Sequence, residues 1–187
     1  MIMVDGRASI IRVQHGFLDH KINPDAETII IGTFNPGSLC KIDFFYASPR
    51  NRLWSLVPHA FGEADLRMAS RDVKLEFSRR RRIDFIDIIS EIEIEAKEVC
   101  NRDDNYLDAR VTQWRDVIAE LRDLRSVRRL CFTRKTFGKH VREIEKRVLQ
   151  LKEHFGSKFR LMASPTRIPN SSEQSIWTEF LNGQVVT

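Results

Sequence analysis

The sequence predicts an α/β fold, a three-layer α/β/α sandwich whose central sheet is mostly parallel and has about four strands. Short apolar segments rich in β-branched residues alternate with longer segments whose apolar residues recur at helical spacing. Strands that alternate with helices in this way usually pair in parallel. No linker, repeat or biased tract divides the chain, so we expect a single domain over residues 1–187.

Four segments have the composition of buried strands. Residues 28–33 read Thr-Ile-Ile-Ile-Gly-Thr, a β-branched run typical of a strand that is buried on both faces. The other predicted strands cover residues 83–89, 128–133 and 158–163.

Apolar residues at helical spacing predict five helices, with the cleanest stripe over residues 136–155. The other helices cover residues 50–61, 66–82 and 111–124, and a last one begins at Ser171 or Ser172 and ends near Gly183. Parallel sheets bind ligands beyond the carboxyl ends of their strands. We therefore expect the functional site in the loops 34–51 and 164–170, which follow the first and last predicted strands.

The charge of the chain is unevenly distributed. It has 31 Lys and Arg against 26 Asp and Glu, a net charge of +5. Residues 120–160 carry thirteen basic and five acidic side chains, net +8, whereas residues 83–109 carry two basic and nine acidic ones, net −7. A basic side on a mildly basic domain fits nucleic-acid binding, and a solvated surface with internal ion pairs fits the same counts.

Composition also predicts the compartment. The apolar runs are too short for a membrane-spanning helix, and residues 1–4 lack the features of a secretory signal. The three cysteines, Cys40, Cys100 and Cys131, are widely spaced and odd in number. They predict reduced thiols in a cytoplasmic protein, and they are too few for a four-cysteine zinc or iron–sulfur site.

The first loop contains the residues with the clearest chemical use. Asn35 ends the first strand, where its side-chain carbonyl can hold a water molecule without ionising, and Pro36 and Gly37 shape a tight turn beside it. Tyr46 offers a flat face to a planar ligand. The same residues fit an Asn-Pro-Gly turn above ordinary apolar packing, so composition leaves both interpretations open.

These motifs resemble those of the uracil-DNA glycosylase superfamily, most closely its mismatch-specific uracil/thymine and deoxyinosine-type branches. Residues 32–37, Gly-Thr-Phe-Asn-Pro-Gly, are similar to the first motif, Gly-x-Asn-Pro-Gly, with one extra residue. Residues 46–54, Tyr-Ala-Ser-Pro-Arg-Asn-Arg-Leu-Trp, resemble the segment Phe/Tyr-Ala-His-Pro-x-Asn-Arg-Phe-Trp. Residues 163–170, Ala-Ser-Pro-Thr-Arg-Ile-Pro-Asn, are similar to the second motif, a loop that ends in Pro-x-Asn.

The resemblance implies a monofunctional DNA glycosylase of base excision repair that flips a deaminated or mismatched base, uracil-like or hypoxanthine, out of DNA. It implies that Asn35 positions the attacking water and that Tyr46 stacks on the base. It also implies a monomer whose partner is damaged DNA, with no cofactor, no metal and no membrane. Further substrate-binding residues would be Thr33, Phe34, Gly37, Ser48, Asn51 and Thr133. DNA-binding residues would be Ser164, Thr166, Arg167 and Ile168, with Arg167 or Ile168 as the wedge that fills the vacated stack.

The sequence departs from this pattern in ways that bear on the chemistry. The efficient uracil-specific branch has Asp in the first motif and His in the second, whereas this chain has Asn35 and no His in residues 163–170. We therefore expect slower chemistry, or a base that leaves more easily. Ser48 stands in a His position, and Gly37 replaces the bulky aromatic that excludes the thymine methyl group.

Two other function classes fit parts of the sequence. Asp84, Glu95 and Lys97 resemble the Asp…Glu-x-Lys pattern of Mg²⁺-dependent nucleases, in which two carboxylates hold the metal, although a solvated acidic face explains them more simply. The departures in the second motif also allow a non-catalytic DNA-damage-binding module on the same scaffold.

Overall fold

The computed structural model describes residues 9–166 and 170–183. Its strands are β1 (Ile10–Gln14), β2 (Thr28–Gly32), β3 (Ile83–Asp87), β4 (Ile89–Glu95), β5 (Val111–Trp114), β6 (Arg129–Phe132) and β7 (Phe159–Leu161). Its helices are α1 (Leu53–Ala60), α2 (Arg71–Arg80), α3 (Asp104–Leu107), α4 (Val117–Leu121), α5 (Arg142–Phe155) and α6 (Ser171–Leu181).

The central sheet has four parallel strands in the order β3-β2-β6-β7, which confirms the predicted α/β class and parallel sheet. The four predicted strands correspond to these four elements. Gly32 pairs with Asp87 at the carboxyl ends of β2 and β3. The side chains that follow these strands are therefore gathered at one edge of the sheet.

Helices cover both faces of this sheet, as the three-layer prediction requires. Ile30, in the middle of β2, packs with the apolar residues of α1, α2 and α6. Its neighbours Ile29 and Ile31 point to the other face and pack with α4 and α5. The alternation along one fully buried strand explains why residues 28–32 are apolar without interruption.

A second sheet was not predicted. It is antiparallel, with the order β1-β4-β5. Its strand β5 corrects the predicted helix over residues 111–124, of which only α4 is helical. Val111 and Trp114 are three residues apart, a spacing that fits a helix, but here they pair with Ile92 and Ile89 of β4. Cross-strand pairing therefore decides the conformation of this segment.

Two helices begin elsewhere than predicted because of their caps. The carboxylate of Asp108 accepts hydrogen bonds from the backbone N–H groups of Arg142 (3.0 Å), Glu143 (3.2 Å) and Ile144 (2.7 Å), so α5 begins at Arg142 and not near residue 136. Helix α6 is capped by Asn170, whose side chain accepts from the N–H of Glu173, rather than by Ser171 or Ser172.

Cys40 and Cys100 form a disulfide bond, so the prediction that all three cysteines are reduced is wrong. Only Cys131 is a free thiol, and it is buried. The bond removes the cysteine argument for a cytoplasmic location, which stays a prediction. In residues 9–166 and 170–183, none of the helices has the length and apolar character needed to cross a membrane.

Candidate active site

A cavity of about 1050 Å³ opens at the carboxyl edge of the parallel sheet, where the sequence places the functional site. Its floor includes Gly32 of β2, Asp87 of β3 and Thr133, which follows β6. The structure brings together most of the predicted site residues along this cavity: Thr33, Phe34, Asn35, Tyr46, Ser48, Asn51, Thr133, Ser164 and Thr166. The predicted DNA-binding residues Arg167 and Ile168 lie outside the described residues.

The turn after β2 fixes the orientation of the Asn35 side chain. Its Oδ1 accepts a hydrogen bond of 2.9 Å from the N–H of Gly37. Because that N–H can only donate, the atom facing it is the oxygen of the amide. The backbone carbonyl of Asn35 accepts a second bond, of 2.7 Å, from the N–H of Gly16. One lone pair of Oδ1 remains available for a water molecule in the cavity.

Gly37 has a structural role in this turn. Its φ of +62° lies in the left-handed region, and a Cβ atom built on it would lie 2.7 Å from the Cα of Gly16. Gly37 is not among the residues that line the cavity. The structure therefore places it against the segment at Gly16 rather than at the predicted contact with a base.

Tyr46 lines the cavity with its hydroxyl group held at the floor. The hydroxyl lies 3.2 Å from Oγ1 of Thr133, and the ring is 5.9 Å from that of Phe85. Burial, together with the negative charge of Asp87, raises the pKa of Tyr46 well above 10. The hydroxyl is thus neutral at physiological pH and can donate a hydrogen bond.

Asp87 and His15 form a buried pair that the sequence reasoning missed. Nδ1 of His15 accepts a bond of 3.1 Å from the N–H of Phe17, so the ring proton lies on Nε2, which donates to Oδ2 of Asp87 over 2.7 Å. The His15 side chain is 0 % exposed and that of Asp87 is 6 % exposed. The second carboxylate oxygen, Oδ1, is left as an acceptor in the cavity wall. An acidic residue at the carboxyl end of an apolar strand is the sequence signal that could have identified it.

Gly32 allows these two side chains to approach the sheet. A Cβ atom at this position would lie 2.2 Å from Oδ1 of Asp87 and 2.6 Å from the hydroxyl oxygen of Tyr46. Atoms cannot be that close, so the carboxylate and the phenol occupy the space that any larger residue would need. The glycine at the end of β2 is therefore required by the site.

A second carboxylate in the cavity is neutralised by an ion pair. Oδ2 of Asp104 lies 2.5 Å from Nη1 of Arg134, and Thr33 contributes a side-chain hydrogen bond. Burial outweighs both contacts and raises the pKa of Asp104 above its ordinary value. Asp104, like Asp87, is a cavity residue that the sequence reasoning did not single out.

The two loops predicted to form the site are joined by a backbone hydrogen bond. The N–H of Arg52 donates to the carbonyl of Pro165 over 2.6 Å. Asn51 is turned toward the chain, since its Oδ1 accepts from the N–H of Leu53 at 2.8 Å. The hydroxyls of Ser164 and Thr166 lie 3.1 Å apart on the second loop. One continuous rim therefore carries parts of both motifs.

Comparison with solved structures gives one informative match. It is the solution NMR structure of a protein from Methanosarcina acetivorans that is named as a putative uracil DNA glycosylase. The two chains are 21 % identical and superpose with a TM-score of 0.61, over 87 % of this chain and 93 % of that one. This chain has the same fold. No protein-family model matches the sequence, and no curated protein matches it at a significant level.

The structure does not bring Asp84 together with the other two residues of the nuclease alternative, Glu95 and Lys97. Asp84 lies near the start of β3, where its carboxylate accepts bonds from Nε2 of His20 (2.6 Å) and from the N–H of Asn23 (2.7 Å). Glu95 ends β4 in the other sheet, where it forms an ion pair of 2.8 Å with Lys97. In the part of the chain that the structure describes, no group of three His, Cys, Asp or Glu side chains is placed to hold a metal ion.

Proposed function

We propose that this protein is a monofunctional DNA glycosylase that hydrolyses the N-glycosidic bond of a deaminated or mismatched base, uracil-like or hypoxanthine, in base excision repair. The observation that carries the proposal is the oriented carbonyl of Asn35, which shares with the ring of Tyr46 a cavity large enough to admit a base. The fold shared with the Methanosarcina protein is consistent with it.

The cavity suits a base that has left the duplex. A glycosylase reaches the bond between sugar and base by flipping the nucleotide into a pocket. Tyr46 lines that pocket, and stacking on an aromatic ring contributes about 1–3 kcal/mol per base. One of the neutral hydroxyls of Tyr46 and Thr133 donates to the other, so the pair keeps one donor for a carbonyl oxygen of the base.

Asn35 would orient the attacking water. The water oxygen forms a bond to C1′ of the sugar, the C1′–N bond breaks with its electron pair going to the base, and the proton lost by the water neutralises the departing base. Because the transition state is cation-like, the water needs orientation more than it needs a strong base. A fixed amide carbonyl meets that need, in keeping with slower chemistry than an Asp in the same place would give.

Asp87 would favour deaminated bases. Deamination converts the ring nitrogen that accepts a hydrogen bond in cytosine or adenine into an N–H donor in uracil or hypoxanthine. Oδ1 of Asp87 can only accept, and His15 holds the carboxylate in place. A site with one fixed acceptor discriminates against a base that presents a lone pair at that position.

The proposal is tested with duplex oligonucleotides that each contain one altered base, treated with the protein and then with alkali. We expect strand cleavage only after alkali, undiminished by excess EDTA, and at least a tenfold slower single-turnover rate for Asn35→Ala with unchanged DNA affinity. Asn101→Ala is the control, because Asn101 lines the same cavity but is hydrogen-bonded to Glu98.

Each alternative gives a different result in this assay. Strand breaks that appear without alkali and vanish with EDTA, together with their loss in Asp84→Ala, would favour the nuclease. Tight binding of damaged duplex with no base released would favour the non-catalytic binding module. An Asn35→Ala protein that is folded and fully active would remove Asn35 from the mechanism.

A further inference from the structure

Nine of the twenty arginine side chains in residues 9–166 and 170–183 form ion pairs with acidic residues of those ranges. Arg80 and Arg81 both bind Glu63, and Arg115 binds Glu120 with two hydrogen bonds of 2.7 Å. Other such pairs are Arg12–Glu93, Arg67–Asp65, Arg82–Glu27 and Arg134–Asp104. The positive charge implied by the composition is therefore partly neutralised. Guanidinium groups that line the cavity and have no acidic partner are the ones that can bind a ligand there.

Arg50 and Arg102 are different. Both line the cavity that contains Asn35 and Tyr46, and neither forms an ion pair with any residue of the described chain. They come from separate segments, since Arg50 lies in the loop before α1 and Arg102 lies just before α3. The fold thus brings two positive charges without an acidic partner to the lining of one cavity.

The two guanidinium groups lie close enough to act on each other. Partial burial and the positive charge of Arg50 lower the pKa of Arg102, and no acidic group opposes this effect. Two like charges near each other repel, and an anion bound between them relieves that repulsion. Both side chains are exposed and neither has an acidic partner in the described residues, so an anionic ligand at the cavity can bind them together.

We propose that Arg50 and Arg102 together hold one backbone phosphate of the DNA, next to the nucleotide that enters the cavity. Guanidinium groups bind phosphate oxygens through two parallel N–H donors, which makes arginine the preferred residue for this contact. The contact would anchor the strand at the rim while the base lies against Tyr46. This inference rests on the proposed function only in taking DNA as the ligand.

A backbone hydrogen bond between Arg52 and Pro165 joins the loop that contains Arg50 to a second segment of the cavity lining. That segment carries the hydroxyls of Ser164 and Thr166. Hydroxyls are common partners of DNA phosphates. The cavity lining therefore offers the two guanidinium groups of Arg50 and Arg102 and, on a neighbouring segment, the neutral donors of Ser164 and Thr166.

The test measures binding to a duplex with a tetrahydrofuran abasic analogue, which the protein cannot hydrolyse. The affinity is determined by fluorescence anisotropy at several salt concentrations for the wild type, for Arg50→Ala/Arg102→Ala and for Arg79→Ala. Arg79 is the matched control because it is exposed and does not line the cavity. It borders a separate shallow depression with Asn23 and Asp25. We expect about tenfold weaker binding for the double variant. The slope of log K against log salt should fall by about 0.9, the value for one phosphate, and the control should keep the wild-type slope.

A chemical change in the DNA identifies the phosphate. Neutral methylphosphonates are placed one at a time on either side of the abasic analogue. At one position the neutral group should weaken DNA binding by the wild type about as much as the double substitution does. At that position it should not weaken DNA binding by the double variant any further. An unchanged salt slope in the double variant, or full additivity at every position, would overturn the proposal.

The outcomes separate this inference from the proposed function. If the phosphate coupling is found but no altered base is ever released, the arginine site stands and the glycosylase proposal fails. If bases are released and the double variant binds like the wild type, the arginine site fails alone. No measurable DNA binding by the wild type would overturn both.

Discussion

A single methyl group at Gly32 should disable the site while leaving the sheet intact. Gly32 ends β2, and its backbone is not in the left-handed region, so alanine is compatible with its conformation. The added Cβ would lie 2.2 Å from Oδ1 of Asp87, whereas such contacts below 3.0 Å are essentially never found. The carboxylate must therefore retreat by at least 0.8 Å, the difference between these distances.

Asp87 has little room for that retreat. Its other oxygen is bound to the fully buried His15 at 2.7 Å, and its backbone is paired with Gly32 itself. The shift would break the bond to His15, at a cost of about 1.5–3 kcal/mol for a hydrogen bond to a charged group. It would also displace the hydroxyl of Tyr46, only 2.6 Å from the new Cβ. A misplacement of about 1 Å can reduce a catalytic rate about 100-fold.

We therefore expect Gly32→Ala to lower the free energy of unfolding by about 2 kcal/mol, measured in urea, and to slow single-turnover base release about 100-fold. Gly138→Ala is the control, because the nearest atom to its Cβ would be Oδ1 of Asn105 at an ordinary 3.8 Å. A Gly32→Ala protein with wild-type stability and a rate within about threefold of wild type would refute the reasoning.

Two further changes test the cavity floor and the surface. Tyr46→Phe keeps the ring and loses the hydroxyl, with its bond to Thr133 and its part in donating to the base, so we expect less than a tenfold effect on base capture. Tyr46→Ala should weaken base capture 10- to 100-fold, in line with about 1–3 kcal/mol of stacking. Equal damage by both would show that the hydroxyl matters more than the ring. Hydrogen bonds from Arg80, and then from Arg81, lower the pKa of Glu63 from 4.5 to about 2. A lowered carboxyl pKa stabilises the folded state above pH 4.5, and this stability is lost as the pH falls toward 2. In urea, the free energy of unfolding of Glu63→Gln should thus be about 1 kcal/mol below that of the wild type at pH 7, and the difference should disappear near pH 2. A difference that persists at pH 2 would contradict the ion-pair explanation.

The sequence predicts the central sheet because the pattern of a buried strand lies within a few consecutive residues. The five residues of β2 are buried on both faces, and an uninterrupted β-branched run predicts such a strand directly. Trp114 shows the limit of this reasoning, since its spacing from Val111 suits a helix and only its pairing with Ile89 in another strand makes it extended. The start of α5 likewise depends on Asp108, more than thirty residues earlier.

The same limit applies to the site. Asn35 and Tyr46 were predicted because they belong to short motifs within one loop, and both line the cavity. His15 and Asp87 are 72 residues apart, and neither belongs to a recognisable motif. Their pairing requires β1, an element that was not predicted, to lie along β4 so that His15 follows it into the site. Long-range contacts of this kind are the part of a functional site that local patterns do not contain.

Under the proposed mechanism, the distribution of charge in the cavity gives a physical reason why an asparagine would be sufficient at position 35. If the sugar becomes cation-like in the transition state, fixed negative charge nearby lowers its energy, and Asp87 provides that charge from a buried, oriented position. Arg50 and Arg102 line the same cavity, where they are proposed to hold the phosphate. A carboxylate at residue 35 would add a negative charge to a cavity whose wall already contains the carboxylate of Asp87. Under the proposed mechanism the neutral amide would orient the water without that repulsion, so the charge and the orientation of the water would come from different residues.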